Sequence, residues 1–132
     1  LVEHIASGMH DREDIIALAL LGALSNQNTF LFGPPGTAKS LISRRIACAF
    51  KQPQYFEHLM NRFTTPEELF GPVSLKELKE DRYVRKTNKY LPTADFAFLD
   101  EIWKSSPAIL NTLLTMINEK TFKNGDEIQN TP

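Results

Sequence analysis

The stretch GPPGTAKS at residues 33–40 has the clearest chemical meaning, because it follows the phosphate-loop pattern G-x-x-x-x-G-K-[ST] except at Ala38. Small residues let the backbone approach an anion, and N–H groups at a helix start donate to phosphate oxygens. Lys39 would contact the β- and γ-phosphates, and the Ser40 hydroxyl would bind Mg²⁺. The stretch therefore predicts a site for a nucleoside triphosphate. The simpler alternative is a glycine-rich turn between a strand and a helix.

Ala38 stands where the phosphate-loop pattern has glycine. Only a positive φ requires glycine, so alanine suits this position if its φ is negative. We therefore expect a right-handed backbone conformation at Ala38. A positive φ would undermine the interpretation of residues 33–40 as a phosphate loop.

An acidic pair, Asp100-Glu101, directly follows the apolar run 96–99. Functional groups gather at the carboxyl ends of strands in a parallel α/β sheet. Asp100 could hold Mg²⁺ through its waters, and Glu101 could polarise the water that attacks the γ-phosphorus. The alternative is an acidic pair that only stabilises a helix N-terminus.

The hydrophobic pattern predicts the elements that must position these residues. It predicts strands at 29–32, 54–59 and 96–99, and helices at 14–24, 40–50, 65–70 and from 106 onward. The helix at 14–24 and both faces of the strand at 96–99 should be buried. Thr65, Pro66 and Glu68 predict a capping box, and Asn124-Gly125 predicts a tight hairpin. Strands that alternate with helices favour an α/β fold with a mostly parallel sheet.

Composition sets wider limits. The chain has 132 residues, 42% of them hydrophobic, and a formal net charge of -1. These values favour a single globular domain and exclude the strongly basic surface of a dedicated nucleic-acid binder. The one cysteine cannot form an intrachain disulfide, and no apolar run reaches the length of a membrane span. We therefore expect a cytoplasmic protein without a membrane span.

Some side chains are expected to be structural. Cys48 should be a small packed residue, and Trp103 should lie in the core, with a subunit-interface position as the alternative. Arg44 and Arg45 should face solvent on their helix. The charged segment 73–90 should form an exposed hairpin or a helix and a hairpin.

The sequence resembles AAA+ ATPases of the MoxR group, most closely the regulatory ATPase variant A (RavA) group. GPPGTAKS at 33–40 corresponds to Walker A, and FAFLDE at 96–101 corresponds to Walker B. The more specific matches are NRFTTPEELFGPVSL at 61–75 and IWKSSPAILNTLLTMINEKTFKNG at 102–125. The resemblance implies a P-loop NTPase core, a three-layer αβα fold that is incomplete on its C-terminal side.

The resemblance also implies an activity and a set of site residues. It implies binding of ATP and ADP between subunits of a hexameric ring, and Mg²⁺-dependent hydrolysis that remodels protein clients, with lysine decarboxylase as the client suggested by RavA. Glu101 and Lys39 would be catalytic, and Ser40 and Asp100 would bind Mg²⁺. The nucleotide-contacting residues would be His10, Gly33, Pro34, Pro35, Gly36, Thr37, Ala38, Lys39, Ser40, Leu41 and Asp100. Segment 73–90 corresponds to the hairpin inserted before Walker B.

Several parts of an AAA+ module are not found in residues 1–132: the first sensor strand, the arginine finger and the lid. The chain is therefore expected to be the N-terminal part of such a domain. In the family's strand order, the missing sensor strand lies between the strands at 29–32 and 96–99. Buried backbone groups left without partners cost about 1–3 kcal/mol each, so we expect these residues alone neither to fold stably nor to be active.

Two other functions are compatible with the pattern. One is a nucleotide-gated binding module or scaffold with little turnover, although the intact Asp100 and Glu101 argue against an inactive site. The other is a small P-loop kinase, although no acceptor-site lid is apparent in the sequence. Phosphate release by the complete oligomer would separate the motor from the scaffold.

Overall fold

The computed structural model describes all residues from Leu1 to Pro132, which form two compact units, Leu1–Pro53 and Gln54–Pro132. The first unit contains α1 (Val2–Ile5), α2 (Glu13–Leu24) and α3 (Lys39–Ala47). The second contains β1 (Tyr55–Leu59), α4 (Pro66–Phe70), α5 (Leu75–Leu78), β2 (Phe96–Asp100), α6 (Pro107–Glu119), β3 (Thr121–Asn124) and β4 (Glu127–Asn130). No helix combines the length and the apolar character needed to cross a membrane.

Helix α2 confirms the helix predicted at 14–24, but the expectation that it is largely buried is wrong. Ile16, Ala19 and Leu20 are buried on one face. Leu18 and Leu24, by contrast, are 68% and 69% exposed. The helix is apolar around most of its circumference, whereas the first unit covers only one side of it.

The strand predicted at 29–32 does not form. These residues are irregular, and Phe30 and Phe32 are 70% and 91% exposed. A strand requires a neighbour to take its backbone N–H and C=O groups, and no segment of the chain pairs with this one. The β-prone composition of residues 29–32 was therefore not sufficient to form a strand.

The parallel sheet consists of β1 and β2, which confirms the strands predicted near 54–59 and 96–99. The register pairs Tyr55 with Phe96 and Leu59 with Asp100. Ala97 is exposed and the other residues of β2 are half-buried, so the predicted burial of both faces is wrong. The structure is thus mixed α/β with a small parallel sheet, and the three-layer αβα core stays a prediction.

Helix α6 begins as expected after Ser106, whose Oγ accepts a hydrogen bond from the Ile109 N–H at 3.4 Å. On this helix, Met116 is buried, whereas Leu114 is exposed. The core of the second unit is formed by buried residues from several elements, namely Met60, Leu69, Phe70, Leu91, Ile109, Leu113, Met116 and Phe122. The predicted Asn-Gly hairpin is confirmed, because β3 and β4 pair antiparallel around Gly125, whose φ is +66°.

The capping box at the start of α4 is confirmed. The Glu68 carboxylate accepts a hydrogen bond from the Thr65 N–H at 2.6 Å, and Pro66 is the first helical residue. This backbone hydrogen bond is the main reason why the pKa of Glu68 lies below its ordinary value. Local sequence thus determines where α4 begins.

Residues 73–90 contact their surroundings through Arg85. A bridge pairs Val73 with Arg85, and the side chain of Asn124 both accepts from the Arg85 N–H (2.7 Å) and donates to the Arg85 carbonyl (3.0 Å). The Arg85 guanidinium donates to the Gly71 carbonyl at 2.9 Å and to the Glu67 carboxylate at 3.2 Å. This segment is therefore attached to both α4 and the β3–β4 hairpin.

Two expectations about burial are wrong. Cys48 is exposed, because α3 ends at Ala47 and Cys48 lies beyond the face that packs. Trp103 is 62% exposed, because it lies in the turn Ile102–Lys104 rather than on the buried side of α6. Trp103 therefore does not contribute to the core of this chain.

Candidate nucleotide-binding site

The loop at residues 33–38 leads directly into α3, in the first unit. The first hydrogen bond of this helix runs from the Ile42 N–H to the Ala38 carbonyl at 2.9 Å. The N–H groups of Lys39, Ser40 and Leu41 precede this ladder, at the positive end of the helix dipole. Such a helix start provides the donors that a phosphate group requires.

The Lys39 side chain folds back over the loop. Its Nζ donates to the carbonyl oxygens of Gly33 at 3.1 Å and of Pro34 at 3.0 Å. The Thr37 hydroxyl also donates to the Pro34 carbonyl, at 2.9 Å. The ammonium group therefore lies against the loop. When a phosphate binds there, its oxygens would replace the two carbonyls as acceptors of the Lys39 hydrogen bonds.

The expectation for Ala38 is wrong. Its φ is +60° and its ψ is 23°, which is left-handed, and Gly36 also has a positive φ of +79°. The condition that we attached to the phosphate-loop interpretation is therefore not met. Residue 38 has a left-handed backbone conformation, which glycine adopts without strain. Alanine adopts it at a conformational free-energy cost of about 1–2 kcal/mol. The left-handed Ala38 counts against residues 33–40 as a phosphate loop, and the features that still fit such a loop are Lys39 and the start of α3.

The acidic pair lies at the carboxyl end of β2, in the second unit. The Met60 N–H donates to the Asp100 carbonyl at 2.9 Å, which extends the parallel pairing to the end of the strand. One Asp100 carboxylate oxygen accepts from the Glu101 N–H at 2.9 Å. The carboxylate is half-buried and keeps its other oxygen for further contacts.

Glu101 occupies a left-handed conformation, with φ +53°, immediately after the strand. Its carboxylate pairs with the Lys104 ammonium at 2.5 Å. The side chains of Glu101 and Lys104 are 37% and 52% exposed, and ion pairs this exposed to water contribute little to stability. The pair can therefore separate at low cost, which would release the carboxylate to a water molecule.

Magnesium would require ligands beyond the protein. No group of three or more His, Cys, Asp or Glu side chains is arranged to hold a metal ion. Mg²⁺ commonly takes one or two protein ligands and completes its shell with phosphate oxygens and water. The Ser40 hydroxyl, in the first unit, and the Asp100 carboxylate, in the second, are each a chemical group that Mg²⁺ can take as a ligand.

The candidate residues are divided between the two units. His10 and the loop from Gly33 to Leu41 belong to the first unit, and Asp100 and Glu101 belong to the second. His10 is almost fully exposed, and its Nε2 lies 3.4 Å from the Asp11 carboxylate. Its contact with adenine stays a prediction.

One side chain with a defined position was missed by the sequence analysis. Arg45, expected to face solvent, donates from Nη1 to the carbonyl oxygens of Ile5 at 2.8 Å and of Ser7 at 2.5 Å. No local signal identifies it, because its acceptors are backbone groups about 40 residues earlier in the chain.

The chain is similar to several known proteins. The family model described as the MoxR domain in the MoxR-vWA-beta-propeller ternary systems matches residues 1–132. Two uncharacterized proteins of Methanocaldococcus jannaschii, MJ0079 and MJ0812, are each 50% identical to the chain over 98% of its length. The structural protein ORF618 of Acidianus two-tailed virus is 32% identical over 83% of the chain, which spans 18% of that protein.

The chain spans about a third of the length of the curated archaeal relatives it matches, 34% of one and 35% of the other. Within the chain itself, the match to the family model covers every residue. The chain therefore belongs to the MoxR family of AAA+ chaperone-like ATPases.

Proposed function

We propose that this chain binds ATP and takes part in Mg²⁺-dependent ATP hydrolysis, within a MoxR-type motor that remodels or regulates protein partners. The observation that carries the proposal is the position of Lys39 at the start of α3, with its ammonium on the carbonyls of Gly33 and Pro34. Backbone carbonyls are uncharged, so they leave the positive charge of the Lys39 ammonium unneutralised. The ammonium can therefore form a salt bridge with a phosphate group. Membership of the MoxR family supports the choice of ATP.

Each site residue has a proposed role. The N–H groups at the start of α3 and Lys39 bind the phosphates and stabilise charge on their oxygens during transfer. Ser40 and Asp100 hold Mg²⁺, which neutralises phosphate charge when it is bound. Glu101 orients the attacking water, and His10 contacts the adenine.

Two substitutions in the full-length protein test this proposal. Lys39→Ala should abolish ATP binding in calorimetry, with Lys51→Ala, an exposed lysine outside the loop, as the matched control. Glu101→Gln should keep ATP binding and lose steady-state phosphate release, with Glu127→Gln on β4 as its control. Normal phosphate release by Glu101→Gln would contradict the role of that carboxylate.

A nucleotide-gated scaffold with little turnover is the second candidate. The observation in its favour is the Glu101–Lys104 ion pair, because a carboxylate occupied by an ammonium is a poorer acceptor for a water proton. Lys104→Met would then raise phosphate release. If the complete wild-type oligomer releases little phosphate and Lys104→Met releases more, the scaffold is favoured; if the wild type already turns over and Lys104→Met does not change its rate, the scaffold is refuted.

Assembly and clients form the finer part of the proposal. We infer a ring, with six subunits expected from the resemblance to the RavA group, and sedimentation with and without ATP would test it. The family description places MoxR domains in systems with vWA and β-propeller proteins, which favours such proteins as clients over lysine decarboxylase. Purified representatives of the two client types, added to the ATPase assay, would distinguish them.

A further inference from the structure

Arg45 connects the phosphate-loop helix to the segment that carries His10. It lies on α3, and both of its acceptors, the carbonyls of Ile5 and Ser7, lie at and just beyond the end of α1. All of these residues belong to the first unit. The bonds therefore span about 40 positions of sequence inside one compact body.

Neither carbonyl accepts a hydrogen bond from a nearby backbone N–H group. Turn and helix N–H groups near the N-terminus bind the carbonyl oxygens of Leu1, Val2, His4 and Ala6. The oxygens of Ile5 and Ser7 instead accept from Arg45. Hydrogen bonds from a charged donor are roughly twice as strong as neutral ones, so Arg45 supplies the strongest polar restraint on this end of α1.

The segment beyond α1 has few other restraints: the Met9 N–H donates to the Ala6 carbonyl at 2.8 Å, and Met9 is half-buried. The segment reverses direction through Gly8 and Asp11, whose φ values are +77° and +52°, and it ends at α2. Ile5 and Ala6 are buried, whereas His10 and Asp11 are 97% and 87% exposed. Ala6 is therefore the last fully buried residue of this segment, and Arg45 adds a charged hydrogen bond at the exposed Ser7.

We propose that Arg45 is a positioning residue that fixes the segment at residues 6–11, and with it His10, relative to the phosphate-loop helix. Base-dependent binding of the nucleotide then requires Arg45, whereas binding of the phosphates does not. This rests on the proposed function, since it assigns the adenine contact to His10. Arg45 itself contacts neither the base nor the phosphates.

The test compares two ligands that share phosphates and differ in the base, ATP and inorganic tripolyphosphate, by calorimetry on the full-length protein. Arg45→Met should weaken ATP binding about tenfold, because the loss of a charged hydrogen bond is of this order. Tripolyphosphate affinity should change less than about twofold. Arg45→Lys keeps a charged donor and should show a smaller loss for ATP alone, about threefold.

A matched control and a double-mutant cycle between Arg45 and His10 complete the experiment. Lys51→Met removes a positive charge from an exposed position of the same unit and should alter neither affinity. His10→Ala should reproduce the loss seen in Arg45→Met, and the double variant should lose no more than either one, because both act through one contact.

The outcomes separate the two proposals. A wild-type protein that binds neither ligand refutes the proposed function. If the wild type binds both, an unchanged ratio of the two affinities in Arg45→Met and Arg45→Lys overturns the role of Arg45 alone. Equal loss for both ligands, or additive losses in the double variant, overturns it as well. If Arg45→Met does not fold, the ratio of the ATP and tripolyphosphate affinities in Arg45→Lys decides whether Arg45 has the proposed role.

Discussion

Replacement of Ala38 by glycine should stabilise the first unit. Ala38 is held at φ +60° and ψ 23°, where its Cβ approaches the following carbonyl oxygen and costs about 1–2 kcal/mol. Glycine removes this cost. It also makes the unfolded chain more flexible, which lowers the free energy of unfolding by about 0.4–1 kcal/mol. The net expectation for Ala38→Gly is a gain of about 0.5–1 kcal/mol in the free energy of unfolding.

The matched control makes the same chemical change at a right-handed position. Ala17 is exposed in the middle of α2, in the same unit, so Ala17→Gly should lower the free energy of unfolding by about 1 kcal/mol. The two variants of the full-length protein should therefore differ by about 1.5–2 kcal/mol in urea unfolding followed by circular dichroism. If Ala38→Gly destabilises the unit as much as Ala17→Gly does, residue 38 is not left-handed and the loop geometry described above is incorrect.

Two further predictions concern the second unit. The folded pKa of Glu68 lies below the ordinary value of 4.5, so its stabilising effect is present above about pH 4.5 and is lost as the pH falls through the folded pKa. Glu68→Gln should therefore flatten the acid limb of a stability–pH curve, and the same acid limb in Glu68→Gln as in a Glu119→Gln control would contradict the capping role. A Cβ on Gly71, where φ is +96°, would lie 2.1 Å from the Lys86 carbonyl oxygen, so Gly71→Ala should cost about 2–4 kcal/mol in urea unfolding. Gly8→Ala, at φ +77° with open space around it, should cost only about 1 kcal/mol, and equal costs would exclude the close approach of Lys86.

Elements with complete local signals were predictable. Thr65, Pro66 and Glu68 define the start of α4 within four residues, and Asn124-Gly125 defines the turn of the β3–β4 hairpin. In each case the groups that satisfy the backbone lie next to it in the sequence. Likewise, residues 33–40 were enough to predict a helix after the loop, but the helix was expected at 40–50 and is observed at Lys39–Ala47, and the handedness at Ala38 was not predicted.

Features that depend on distant partners were decided by the tertiary structure. Residues 29–32 have the composition of a strand but no neighbour to pair with, and the same absence of neighbours leaves Leu18 and Leu24 exposed on α2. Arg45 resembles a solvent-facing residue in the sequence and is instead bound to backbone carbonyls of another helix.

The physical reason is the range over which each interaction acts. Caps, tight turns and helix periodicity are satisfied within about four residues, so the sequence alone determined the phosphate-loop pattern, α4, α6 and the hairpin. Ladder pairing, burial and the conformation of a strained residue depend on which segments meet in space. Only the tertiary structure therefore decided the β1–β2 register, the left-handed turns at Ala38 and Glu101, and the attachment of the His10 segment to α3.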